Sequence, residues 1–445
     1  MYDPLIDTSP GQNVPYPDSY WASGVKPTSY PQAEGEINTD VAIIGGGYTG
    51  LSCAYHLARQ GVQVTLLEAN QVGWGCSGRN GGFVLNGTGR LSFPQMQQKW
   101  GEQTARLIYA EYRSAIDKVA ELVELGNIKC DKQSGGYLKV AHRSKLVSGL
   151  EQQAELMRNS FDDPVQFIDR PQLQQQYMKS EQAYGGLLFP YCFGVHPLKM
   201  AQGYAALAHN TGAQLHQGSP VINWQKQQDK QVLHTPSAHV RANKVVIASN
   251  GYTLNKFHPE IDSRHFPVLS SIIVTEPLTA QQLTDCGLRP GLMVMDTRSL
   301  KYYYRLLPDN RILFGGRGAI YGKQANHPVY KKRLLTALKQ SFPQLDALRA
   351  EYFWSGWVSV SLDDYPRIAQ AESDSKVFYA MGYCGSGVSF ASQAGYRLAQ
   401  RVMGENNLPG LPFFSTPLKK FPFSPFRRLG LAAFYHWGRF KDEWL

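Results

Sequence analysis

The first residues in this chain able to do chemistry are Gly45, Gly47 and Gly50, where the apolar run VAIIGGGYTG turns into a helical pattern. Bare backbone at the first two admits a tight turn and close approach to a flat anion, and the third lets helix and strand pack closely. A helix opening there aims free N–H groups and partial positive charge at phosphate. Glu68 follows at the end of a second apolar run, where an acid accepts ribose hydroxyls and disfavours a 2′-phosphate. The chemistry is dinucleotide recognition. The stretch VGWGCSGRNGGFVLNGTG, rich in glycine, can also bring backbone against a ligand. Arg305, in YYYRL, and Arg317, ending FGGR, have the planar fork that grips a carboxylate. Tyr302, Tyr303 and Tyr304 alternate along a strand, so one or two of them face a cavity and the rest the core. Tyr252 and Tyr383 are candidates of the same kind. His196, which precedes a proline, reads as a capping or packing residue.

These residues need a frame. Residues 40–68 read as a compact βαβ unit, with a strand at 41–44, a helix at about 48–60 and a strand at 62–68. Residues 94–125 have a helical pattern, and 145–180 a polar helical one. Residues 268–318 alternate like antiparallel strands, and VFYAMGYCGSGVSFASQAG reads as strand, glycine turn and helix. The expected architecture is α/β. A Rossmann-like dinucleotide-binding domain (39–93, 184–264 and 350–408) is interleaved with an α+β substrate domain (94–183 and 265–349) on a mostly antiparallel sheet. A leader (1–38) precedes them and a tail (409–445) follows.

With 445 residues, 43% of them hydrophobic and 12% aromatic, the chain can bury a large core. The net charge of +10 is scattered without a basic stripe or motif, so no nucleic-acid partner is expected. Cys53, Cys76, Cys130, Cys192, Cys286 and Cys384 are far apart with no CxxC, which predicts reduced thiols and no zinc site. The start, MYDPLIDTSPGQ, has acids and prolines where a signal peptide has basic and apolar residues, and no apolar run approaches membrane-spanning length. A cytoplasmic location is expected. In the tail, Phe426, Leu429, Ala433, Trp437 and Phe440 share one helical face, with Arg428, His436 and Arg439 off it. That face either docks on its own protein or makes peripheral contact with a membrane.

Several segments, in order, carry a resemblance: DVAIIGGGYTGLSCAYHLARQGVQVTLLEA, GWGCSGRNGGF, GVHPLKMAQGYAALAHNTGA, VVIASNGYT, YYYRLLPDNRILFGGR, WSGWVSVSLDDYPRIA and FYAMGYCGSGVSFASQAG. Together they resemble the D-amino-acid-oxidase superfamily of FAD-dependent oxidoreductases over roughly residues 17–405. The nearest branches are γ-glutamylputrescine oxidoreductases and bacterial L-pipecolate oxidases, which share the SGRNGG loop. The resemblance implies that Gly45, Gly47 and Gly50, with Tyr48 and Thr49, hold the pyrophosphate, and Glu68 with Ala69 the adenosine ribose. It places the backbone of Val221 at adenine. It runs Ser77, Gly78, Arg79, Asn80, Gly81 and Gly82 past the phosphates to the flavin, and sets Gly385, Ser386, Gly387 and Val388 at the pyrimidine edge. Many relatives have His where Ser386 stands.

The implied activity is oxidation of an amino-acid or amine C–N bond to an imine by hydride transfer to flavin N5. The implied substrate is a cyclic secondary amino acid such as L-pipecolate; γ-glutamylputrescine is the alternative, and an NAD-dependent dehydrogenase is the rival class. Monomeric sarcosine oxidases carry a flavin-linked Cys in the segment matching YFWSGWVSV, which has none here, so the FAD is expected to be non-covalent. Those oxidases also place a Lys, used with oxygen, where Leu313 stands. The acceptor is therefore oxygen or, as that leucine favours, a quinone or electron carrier.

Overall fold

The apolar run ending at Gly45 forms the strand Gly35–Ile44, whose last four residues are all buried. A strand buried on both faces belongs at the centre of a parallel sheet. It lies there, parallel to Val64–Leu67 on one side and Ala238–Ile247 on the other. The structure, a computed structural model, describes residues 1–12, 14–87, 90–405 and 408–444. Thr88 and Gly89 of the glycine-rich loop, and Leu445 of the tail, lie outside the described residues. The first sheet runs Arg367–Gln370, Val377–Met381, Ala238–Ile247, Gly35–Ile44, Val64–Leu67, Gln214–His216. The hairpin Asn223–Gln227 and Lys230–His234 pairs with Ala238–Ile247. Helix Tyr48–Ala58 packs against Pro197–Asn210 and Gly387–Met403. At Gly395 a Cβ would stand 2.4 Å from the Thr49 carbonyl oxygen, so two of these helices meet backbone to backbone.

The second sheet runs Ala350–Val360, Phe266–Thr275, Ile312–Arg317, Tyr303–Leu306, Met293–Asp296, Tyr137–Val140, Gly186–Phe189, Gln166–Ile168. Its neighbours are antiparallel except Met293–Asp296 beside Tyr137–Val140. The architecture is thus a Rossmann-like α/β unit interleaved with a mostly antiparallel sheet. Gly186–Phe189 and Ala350–Val360 are hydrogen-bonded into the second sheet, although the expected boundaries put both segments with the first. The helical pattern of 94–125 breaks at Gly101, whose φ of 82° interrupts it between Phe93–Trp100 and Glu102–Leu125. Within 145–180, helices Val147–Phe161 and Arg170–Gln176 flank the strand Gln166–Ile168, too short to show alternation in the sequence.

Both ends of the chain lie against this body. Trp21 is buried and donates to the Asn80 carbonyl at 2.8 Å, while Tyr2 stacks on Tyr252 at 6.2 Å. The tail forms the helix Arg427–Trp444, and its docked face is not the expected stripe. Leu431 and Tyr435 pack with Phe266 and Val268. Gly438 brings the backbone close to Leu300, where a Cβ would stand 3.0 Å away. Arg428 pairs with Asp3, and the Asp442 carboxylate accepts from the backbone N–H groups of Ser299 and Leu300 at 2.7 and 2.9 Å. These contacts turn Phe426, Leu429, Ala433, Trp437 and Phe440 outward. Among the described residues no helix is long and apolar enough to cross a membrane.

Candidate active site

A cavity of about 660 Å3 runs between the two sheets, and its ends differ chemically. At one end lies the turn from the central strand into helix Tyr48–Ala58. Gly45 holds φ at 114°, and a Cβ on Gly50 would stand 2.0 Å from the Gly45 carbonyl oxygen, so neither position accepts a side chain. The helix has no side-chain cap, and the N–H of Tyr48 donates to Ser77 Oγ at 3.0 Å. Glu68 accepts from the N–H of Gly46 at 2.6 Å and of Asn70 at 2.9 Å, while burial raises its pKa. Val221, Ala69 and Pro10 extend this end.

The SGRNGG loop is held from below by side chains. Arg79 Nε donates to the Trp74 carbonyl at 2.7 Å, its guanidinium lying 4.4 Å from the indole centroid. Asn80 donates to the carbonyls of Cys76 and Ser77 and accepts from the N–H of Gly82 at 2.8 Å. Opposite, Cys384 and Gly385 both take positive φ, and the helix Gly387–Met403 opens into the cavity without a side-chain cap. Ser386 Oγ turns back to donate to the Tyr383 carbonyl at 2.8 Å. Burial pushes the thiols of Cys76 and Cys384, which also line the cavity, up to about 11. Both are protonated at neutral pH and weak nucleophiles.

The other end is built on the second sheet and is cationic. Arg317, Lys301, Lys139 and Arg298 line it, with Tyr303, Tyr137, Phe189 and Met295 as apolar wall. Arg298 is paired with Asp296, whereas Arg317 makes no ion pair among the described residues. Lys139 donates to Gln153 at 2.9 Å, and burial, aided by the Lys301 charge, holds its pKa down to about 8. Lys301 is open to the cavity though protein surrounds it, and burial and then the Arg317 charge lower its pKa. These cations around one space, with Lys301 and Arg317 in no ion pair among the described residues, suit an anion.

Most expected positions converge here. Gly45, Gly47, Tyr48, Thr49, Glu68, Ala69, Ser77, Arg79, Asn80, Gly81, Val221, Gly385, Ser386, Gly387 and Val388 all line the cavity, as do Arg317, Tyr252 and Tyr383. Gly50, Gly78 and Gly82 do not. They act in packing, since Cβ atoms there would come within 2.0–2.3 Å of the carbonyl oxygens of Gly45, Gly73 and Val195.

Arg305, Tyr302 and Tyr304 are corrections. Strand alternation places Tyr303 and Arg305 on one face and the other two on the opposite one. Tyr302 and Tyr304 pack on Phe314 in the second sheet's own core. Tyr303 lines the cavity, its hydroxyl 2.9 Å from Ser270 Oγ. Arg305 lies beneath the SGRNGG loop, donating to the carbonyls of Gly81 (3.1 Å) and Val195 (2.6 Å) and to Gln133 (3.0 Å). Burial there lowers its pKa to about 10. Tyr383 is buried with its hydroxyl 2.7 Å from Thr49 Oγ1, and Leu313 sits in the core away from the cavity. His196 caps helix Pro197–Asn210, accepting from the N–H of Lys199 at 3.2 Å.

The sequence reading missed Lys139, Lys301, Arg298 and Gln153. Its one signal was a lone Lys inside the apolar strand Tyr137–Val140. Trp437 and Lys441 of the tail helix also reach the cavity.

The first end suits a flavin dinucleotide: backbone without side chains, two helix N-termini whose N-cap residues make no side-chain cap, a ribose-side acid, and a buried Asn86 Oδ1 lacking a hydrogen-bond partner among the described residues. A family model described as DAO, FAD dependent oxidoreductase, matches residues 40–401. The chain is 32% identical to γ-glutamylputrescine oxidoreductase of Escherichia coli over 91% of its own length and 95% of that protein's. It shares the fold of glycine oxidase from Geobacillus kaustophilus, with a TM-score of 0.70 at 20% identity, covering 87% of this chain and 100% of that one. L-proline dehydrogenase from P. horikoshii gives 0.70 at 18% identity, over 85% and 98%. The family match spans both sheets and both ends of the cavity, and on it the chain belongs to the DAO family of FAD dependent oxidoreductases.

Proposed function

We propose that this enzyme oxidises the C–N bond of a small amine or amino acid carrying a carboxylate, with FAD held non-covalently along the glycine-rich end of the cavity. The observation that carries the reading is that one cavity joins a glycine cradle to a cluster of cations that includes Arg317, Lys301, Lys139 and Arg298. In this reading Gly45, Gly47, Tyr48 and Thr49 hold the pyrophosphate, Glu68 and Ala69 the ribose, and Val221 the adenine. Ser77–Gly82 and Gly385–Val388 flank the ring. Bound there, FAD supplies the hydride acceptor.

The chain's own residues supply the rest. Arg317 and Lys301 bind the carboxylate and orient the substrate. Tyr303 and the surrounding apolar wall exclude water. The cations disfavour a further positive charge nearby, so a bound ammonium sheds its proton more readily and the neutral amine, the form that reacts, is enriched. No side-chain base is required.

Two substrates fit. L-Pipecolate suits a compact pocket at Arg317. The spread of cations from Arg317 to Lys139, Arg298 and Lys441 favours γ-glutamylputrescine, whose carboxylate is remote from its reacting nitrogen, and the similarity to the E. coli enzyme of that name supports it. Leu313 lies in the core and not on the cavity wall, so the choice between oxygen and a quinone or carrier as acceptor does not rest on it. Anaerobic mixing of purified enzyme with γ-glutamylputrescine, L-pipecolate, L-proline, sarcosine and L-lysine tests this, with γ-glutamylputrescine expected to bleach the flavin fastest. If none of the five bleached it, the reading would fail.

A further inference from the structure

The helix Arg427–Trp444 has two apolar faces, and the protein covers only one. Leu431, Tyr435 and Gly438 are buried, held by the Arg428–Asp3 pair and the Asp442 contacts. On the opposite face Phe426, Leu429, Trp437, Phe440 and Trp444 are each more than half exposed, and Phe423 just before the helix continues the stripe. Among the described residues, every Phe or Trp classed as exposed lies in this segment. A monomeric soluble protein scatters its exposed apolar residues, and a contiguous aromatic stripe marks an interface.

Charge decides what the interface takes. Residues 417–445 carry six basic side chains (Lys419, Lys420, Arg427, Arg428, Arg439, Lys441) against two acidic ones, Asp442 and Glu443. Arg428 and Asp442 are engaged with the protein body, while Lys419, Lys420, Arg439 and Lys441 are exposed. Trp and Phe on one face with Lys and Arg at its margins is the pattern of a helix lying in the headgroup layer of an anionic bilayer. Trp437 and Lys441 also line the cavity, so whatever the stripe rests on lies beside the cavity mouth.

We propose that the outward face of this helix, with Phe423, is a peripheral membrane anchor that seats in the interface of an anionic lipid bilayer and sets the cavity mouth at that surface. Here the helix is clamped to the body beforehand, so the membrane meets a preformed stripe and no folding is coupled to binding.

The test sediments the full-length flavoprotein with vesicles of phosphatidylglycerol and phosphatidylcholine, and with phosphatidylcholine alone. The variant combines Phe426→Glu, Leu429→Glu and Phe440→Glu, positions that touch neither cavity nor core. Wild type is expected in the pellet with anionic vesicles, less so in high salt and far less with neutral vesicles. The variant is expected to partition at least about tenfold more weakly, with unchanged melting temperature, flavin content and flavin reduction by substrate. Wild type that stays in the supernatant with anionic vesicles at low salt overturns the proposal. So does light scattering that finds a wild-type dimer which the variant converts to a monomer while vesicle binding is absent, since a second copy would then cover the stripe.

Discussion

Arg317 and Arg305 sit on adjacent strands of one sheet and do different work, because their guanidinium groups meet different partners. Arg317 opens into the cavity, whereas Arg305 is spent on the carbonyls of Gly81 and Val195. Replacing Arg317 by Ala should remove a charged contact worth about 2–3 kcal/mol, raising KM for a carboxylate substrate on the order of a hundredfold and leaving FAD bound. Steady-state kinetics beside the flavin spectrum would separate this from an Arg305→Met variant, which should lose flavin instead. Lys139 makes a pH prediction. With its pKa lowered to about 8, its charge is present below that pH and lost above it. Carboxylate affinity should therefore weaken as pH rises through about 8, and Lys139→Gln should abolish that limb of a KM–pH profile. The triplet at 302–304 marks the limit of reading residues alone. A period of two separates Tyr303 from its neighbours, but which face meets the cavity depends on the opposing domain.

Among the elements, the strand–turn–helix at 35–58 was the most legible, because its constraints are local. Each glycine answers a clash within a few residues or one layer away. Gly50→Ala would push a methyl against the Gly45 carbonyl, at a cost of about 1–3 kcal/mol, and shift the helix N-terminus off the phosphates. The expected outcome is protein that folds with sharply reduced flavin content, measured as the ratio of 450 nm to 280 nm absorbance. The strand Gln166–Ile168 and the break at Gly101 were not legible: one is too short to show a period, and the other is a single glycine within a continuous helical pattern.

Across the whole molecule, the two ends of the chain are joined. The pair between Asp3 and Arg428 is buried and ties the leader to the tail helix. Removing one partner of a buried pair costs about 3 kcal/mol or more, so Arg428→Met should loosen the tail while the cofactor end keeps its shape. Limited proteolysis should cut the variant faster between residues 417 and 427, with the flavin spectrum unchanged. Equal cleavage rates in the two proteins would refute a clamping role for the pair.

The sequence by itself determined the dinucleotide end of the cavity. Recognition there is by backbone, and backbone recognition demands glycine at set spacings within one short stretch, from Gly45 to Gly50 and Ser77 to Gly82. The tertiary structure alone decided the cationic end and which face of the tail helix docks. Lys139, Lys301 and Arg317 are far apart in sequence and share a space because the strands Tyr137–Val140, Met293–Asp296, Tyr303–Leu306 and Ile312–Arg317 lie side by side in the second sheet. The tail helix could dock by either of its apolar faces. The choice fell to contacts far away in sequence, with Asp3, Ser299 and Leu300, which no local pattern encodes.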